Sequence, residues 1–156
     1  MTADPPGPTP NDFYLERYRF ILQQLQAAND NVHRFLAIYQ TLATALAGAA
    51  VALFVGYHKW NIAPGVARAG IVAVLWIVTL VAAFTLLLLL VGVLTWLDYR
   101  REECQLTEEI IGPHFRDPPR PRNFIRWYET YIAGFIVASV ALMWLIAYTY
   151  FLPAIG

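Results

Sequence analysis

Three histidines and two pairs of adjacent glutamates are the residue types here that suit acid–base chemistry or metal binding. His33, His58 and His114 lie in three separate segments, and Glu102–Glu103 and Glu108–Glu109 share a fourth. A metal site needs several ligands converging on one point, usually through HxxxH or ExxH spacing on a helix, and neither spacing occurs. No GxSxG, P-loop or dinucleotide fingerprint is present, and these residues supply no set of nucleophile, base and orienter. With Arg100 and Arg101 beside them, the glutamates are expected to form a solvated helix face with i,i+4 ion pairs. Cys104 is the single cysteine, which excludes an internal disulfide and a cysteine metal cluster. The expectation is a protein that is not an enzyme, with no catalytic, metal-binding or cofactor-binding residues and no cofactor.

The elements that carry these residues are helical, and most are apolar. The chain of 156 residues is 58% hydrophobic, more than a soluble domain of this size can bury, so an integral membrane class is expected. Formal charge is zero, from 11 basic and 11 acidic residues, which gives no bulk attraction for nucleic acid. Residues 1–12 are proline-rich, without apolar periodicity, and read as a disordered tail rather than a signal peptide. From residue 13 an apolar seam begins. Tyr14, Tyr18, Ile21, Leu25, Ala28, Val32, Phe35, Tyr39 and Leu42 are spaced alternately four and three residues apart, one narrow line along a helix. Phe13, Leu15, Phe20 and Leu22 fall off that line, so the apolar face is wider than a two-stranded coiled coil needs.

The fold class expected is an all-α membrane bundle of three transmembrane helices, the first two extended as cytosolic helices. An amphipathic cytosolic helix covers 13–34 and runs without a break into a first span at 35–57, 23 residues without Asp, Glu, Lys, Arg or His. A turn at 58–68 follows, broken by Pro64–Gly65. The second span is 69–97, and 98–123 is a helical extension followed by a Pro- and Arg-rich loop, with Tyr99, Cys104, Leu106 and Ile110 against the first helix. The third span is 124–152, with Asn123 as its N-cap, and 153–156 is a short tail. Thr44, Gly48, Ala52 and Gly56 recur every fourth residue, a small-residue packing ridge of the kind that lets helices approach closely in lipid. The third span has an interfacial start that holds Arg126 and Glu129; its core, 132–147, and the other two spans carry no Asp, Glu, Lys, Arg or His, which argues against a self-contained ion-coupled transporter.

Charge sorts by segment. Arg17, Arg19 and Arg34 precede the first span, and Arg100, Arg101, Arg116, Arg120, Arg122 and Arg126 lie between the second and third. Only Lys59 and Arg68 occupy the first connection. By the positive-inside rule the N-terminus and the second connection are cytoplasmic, and the first turn and the C-terminus lie outside a cell inner (plasma) membrane. Arg116, Arg120, Arg122 and Arg126 fit two roles equally, setting topology or contacting anionic lipid headgroups.

This plan, carried by YLERYRFILQQLQ and YQTLATALAGAAVALFVG, resembles small bacterial membrane effectors of anti-phage and conflict systems. Those proteins pair a few transmembrane helices with a short cytosolic helical part. The resemblance covers the first third of the chain and implies no roles for individual residues. Two functions follow as expectations. The first is a structural and interaction module, an oligomerising anchor or accessory subunit with a cytosolic helical platform. The alternative is a small pore-forming effector activated by assembly, since hydrophobic constrictions can gate in an oligomer. The expected partners are the lipid bilayer and either further copies of the chain or a membrane or cytosolic protein.

Overall fold

The computed structural model describes residues 10–112 and 127–155. Among them every regular element is helical: α1 (Pro10–Gly56), α2 (Pro64–Ile110) and α3 (Tyr128–Ile146), followed by a π-helical turn (Ala147–Phe151) and a last short turn, α4 (Leu152–Ala154). Three helices are long and apolar enough to cross a membrane: Asp12–Gly56, Pro64–Ile110 and Tyr128–Ala154.

α1 and α2 each run for 47 residues, on the order of 70 Å and more than twice a hydrocarbon core of roughly 30 Å. They form one antiparallel hairpin. Arg17 meets Glu102 far from the turn, while Tyr57 packs with Ala67 and Ile71 beside it. α3 runs antiparallel to α2 and lies against only the half of the hairpin nearest the turn. Tyr128 at its start bonds Asn29, Ile136 packs with Tyr39, Ala43 and Ala82, and Phe151 stacks on Phe54 at 4.4 Å. The other half is a stalk of two helices.

The expected seam faces inward for most of its length. Ile21, Val32 and Tyr39 are buried, and Tyr18, Leu25, Ala28 and Phe35 are half-buried. Leu42 departs from that expectation: it is exposed, and the buried line passes instead to Ala43 and Ala50. A straight helix of 3.6 residues per turn drifts about 20° per heptad against a 3.5-residue repeat, so a strict seam walks off the contact after a few heptads. On α2 the buried line reads Ala67, Ile71, Leu75, Val78, Ala82, Thr85, Leu89 and Val93, and resumes at Glu103 and Thr107.

Boundaries differ from the sequence reading in three places. Pro64 starts α2 rather than breaking a helix, because at N1 its missing N–H is one the helix would leave unpaired anyway. The turn before it is closed by the Trp60 N–H donating to the Gly56 carbonyl at 3.0 Å and the Ile62 N–H to Tyr57 at 2.9 Å. The Trp60 ring folds over Gly56, where a Cβ would come within 2.5 Å of it. Trp127, in extended conformation, is the N-cap of α3; the N-cap expected at Asn123 lies outside the described residues. The third helix is also not uniform: it widens to a π-helical turn before Pro153. A proline ring clashes with the carbonyl four residues earlier, and a local widening of the ladder relieves it.

Buried polar groups are paired. Tyr39 and Ser139 share a hydrogen bond of 2.7 Å between α1 and α3. Trp144 donates its Nε1–H to Thr79 at 3.0 Å, and Thr79 and Thr85 donate to carbonyls one turn back.

Candidate functional site

The stalk brings together more side chains with exposed chemistry than any other part of the described chain. α1 and α2 stay paired there because apolar residues at seam spacing meet the inner face of the α2 extension. In water, burying a side chain such as Ile21 contributes about 1.5–3 kcal/mol, and Ile21 is fully buried. Between the spans that driving force vanishes, since lipid tails are as apolar as leucine, and association rests on packing and interhelical hydrogen bonds. With the spans in lipid, the stalk would hold by a different force from the turn half.

Ionic contacts add to the pairing. Arg17 donates to Glu102 across the hairpin, with both side chains partly exposed. Arg100 donates to Glu103 within α2. The glutamates expected on a solvated face split: Glu108 and Glu109 are exposed, while Glu103 is completely buried. The cause is phase. Glu103 falls three residues after Arg100 and four before Thr107 on the line that faces α1, and the charge-rich composition of 98–103 hides that line from an apolar-periodicity search. Thr107, also buried, donates to the Glu103 carbonyl at 2.8 Å.

At the free end of the stalk the two helices leave a groove of about 540 Å³, walled by Tyr14, Leu15, Tyr18, Leu106, Thr107, Ile110 and Ile111. Of the residues expected against α1, Tyr99, Cys104 and Leu106 are half-buried and Ile110 is exposed on the groove wall. Phe13 and Phe20 on one flank of the seam, and Leu15 and Leu22 on the other, are 40–67% exposed. α1 thus shows apolar side chains over a wide arc, of which α2 covers the middle. α2 ends at Ile110, and Gly112 takes φ +119°, a left-handed value that suits glycine after a helix.

The other expected sites are dispersed. In the ridge, Thr44, Gly48 and Ala52 are exposed, and a Cβ added at Gly48 would meet nothing within 4 Å, so no helix among the described residues occupies that face. Gly56 is buried under Trp60 of its own turn. His33 stacks on Tyr128 at 5.9 Å and His58 lies against Tyr57 at 4.0 Å, at opposite ends of the span region. His114, Arg116, Arg120, Arg122 and Arg126 lie outside the described residues. Among the described residues no three His, Cys, Asp or Glu side chains are grouped to hold a metal ion.

One feature sequence reasoning missed is a cavity of about 400 Å³ where the three helices meet at the base of the stalk. Trp96, Trp127, Tyr128, Glu129, Asn29 and Val32 line it, together with small residues. Its walls come from three segments far apart in sequence, 28–32, 92–96 and 127–129. Compared with known protein families, curated proteins and solved structures, the chain matches none.

Proposed function

We propose that this protein is a multi-pass membrane anchor whose two-helix stalk assembles with the stalk of a second copy. The observation that carries the reading is the apolar surface on both flanks of the α1 seam, uncovered on a part of the hairpin that α3 does not reach. A helix apolar over so wide an arc suits a bundle of three or more helices rather than a pair, and two hairpins side by side supply four. On this reading the stalk is cytoplasmic, because nine of the eleven basic residues lie in the N-terminal segment and the second connection. The protein acts by holding copies together at a membrane, without catalysis.

The test is cross-linking in native membranes of the wild type and of Phe20→Glu/Leu22→Glu, which changes the flanks and spares the seam. The wild type is expected to give dimers or higher species and the double variant monomers, both inserted normally. Wild-type protein that stays monomeric would sink the proposal. Capture of a different protein in place of a second copy would replace it with an accessory-subunit role.

A further inference from the structure

We propose that the cavity at the base of the stalk is a binding site for an organic ammonium group, as a lipid headgroup or as a free amphiphilic amine. Its position comes from the chain itself. Asn29 and Val32 on α1 sit just before the uncharged stretch that begins at Phe35, and Trp96 on α2 sits just before Asp98 ends the second one. Trp127 and Tyr128 open α3. All three strands of evidence set the cavity at the depth of lipid headgroups, where indoles are favoured.

Its chemistry selects for a cation. The Trp96 and Trp127 rings stand edge to face, 5.9 Å apart and inclined at 69°, forming a corner of two indoles. Indole faces attract ammonium groups, and more strongly when water is partly excluded. Glu129 lies on the same wall and forms no ion pair among the described residues. One full negative charge there outweighs the partial positive charge of the α3 N-terminus, roughly half a unit. Tyr128 is held in place on both sides: its hydroxyl donates to Asn29 Oδ1, and its ring stacks on His33. About 400 Å³ is within the usual range for small-ligand sites. An anion would meet the carboxylate, so an acidic headgroup is disfavoured.

The experiment is calorimetric titration of the full chain in a non-ionic detergent with choline and with 3,3-dimethylbutanol, its uncharged isostere. A parallel arm places the protein in bilayer discs of phosphatidylcholine or phosphatidylglycerol. Saturable binding of choline, with at least about tenfold weaker binding of the alcohol, is expected. Glu129→Gln is expected to weaken choline binding about tenfold and Trp96→Leu about 3- to 30-fold, with helix content unchanged by circular dichroism. Trp96→Phe, which keeps a ring, should lose less than Trp96→Leu. Choline binding in detergent identifies a soluble ammonium as sufficient. Binding confined to phosphatidylcholine discs, read as Glu129-dependent protection of Trp127 from a soluble quencher, identifies the lipid. Equal binding of the alcohol, full binding by Glu129→Gln, or preference for phosphatidylglycerol would each overturn the proposal. Oligomeric state has no part in the readout, so this site stands or falls separately from the stalk assembly.

Discussion

Glu103 has no solvent-accessible side chain, and Arg100, one turn earlier on α2, carries its counter-charge while remaining a quarter exposed. Desolvating a carboxylate costs several kcal/mol, and only its partners offset that cost, so the pair is asymmetric in what its loss would do. Arg100→Ala removes a counter-charge from a buried carboxylate and is expected to destabilise the protein by about 2–3 kcal/mol. That figure is reduced from the fully buried case because Arg100 itself keeps some water. Arg100→Leu/Glu103→Leu removes both charges and is expected to be close to wild type. Unfolding in a detergent titration followed by circular dichroism distinguishes the two. A harmless Arg100→Ala would mean that Glu103 draws its support elsewhere. Glu103 also marks where the sequence stops being legible. Its neighbours Asp98, Arg100, Arg101 and Glu102 describe a solvated surface by type, and burial follows only from carrying the α2 phase forward from Val93 through a stretch with little apolar signal to reveal it. Tyr39 is the opposite case: its place in an apolar seam announced burial, and only its partner, Ser139, a hundred residues on, was hidden.

At the scale of elements, the three long helices follow from residues in plain view: uncharged runs, an unbroken seam before Gly48, and prolines at the turns. What periodicity could not supply was the third dimension of each contact. The seam from Tyr14 to Leu42 was drawn as a straight line, and the helix turns it away from α2 at Leu42. The end of α3 is set by a contact between helices. Arg68 on α2 donates from Nε at 3.1 Å and Nη2 at 2.9 Å to the Leu152 carbonyl, which tethers the turn after the π-helical segment to the start of α2. Both donors come from one planar fork, a geometry lysine lacks. Arg68→Ala and Arg68→Lys are both expected to raise amide exchange at Leu152, Ala154 and Ile155 by roughly fivefold, the equivalent of about 1 kcal/mol for a partly exposed charged hydrogen bond. Exchange in α1 should not change. Rescue by lysine would show that charge alone suffices there.

For the whole molecule, the proposed membrane placement ties the hairpin geometry to the distribution of charge. With the three spans placed in a bilayer as proposed, the hairpin is longer than the hydrocarbon core and α3 covers only its turn half, so the excess length of both helices would project from one face. That face carries Arg17, Arg19, Arg34, Arg100 and Arg101 on described helices, and the opposite end carries Lys59 and Arg68. The stalk and the arginines therefore share a side, and the proposed orientation places both in the cytoplasm. Lys59 and Gln26 are exposed at the two ends. Labelling with a membrane-impermeant maleimide in a Cys104→Ser background reads the orientation directly. Lys59→Cys is expected to label from outside intact cells, and Gln26→Cys only after the cytoplasmic face is opened. The reverse pattern would invert the topology and leave the stalk outside. It would then also move the ammonium-binding cavity to the outer leaflet, since Asn29, Trp96 and Trp127 lie at the same end of the span region as Gln26.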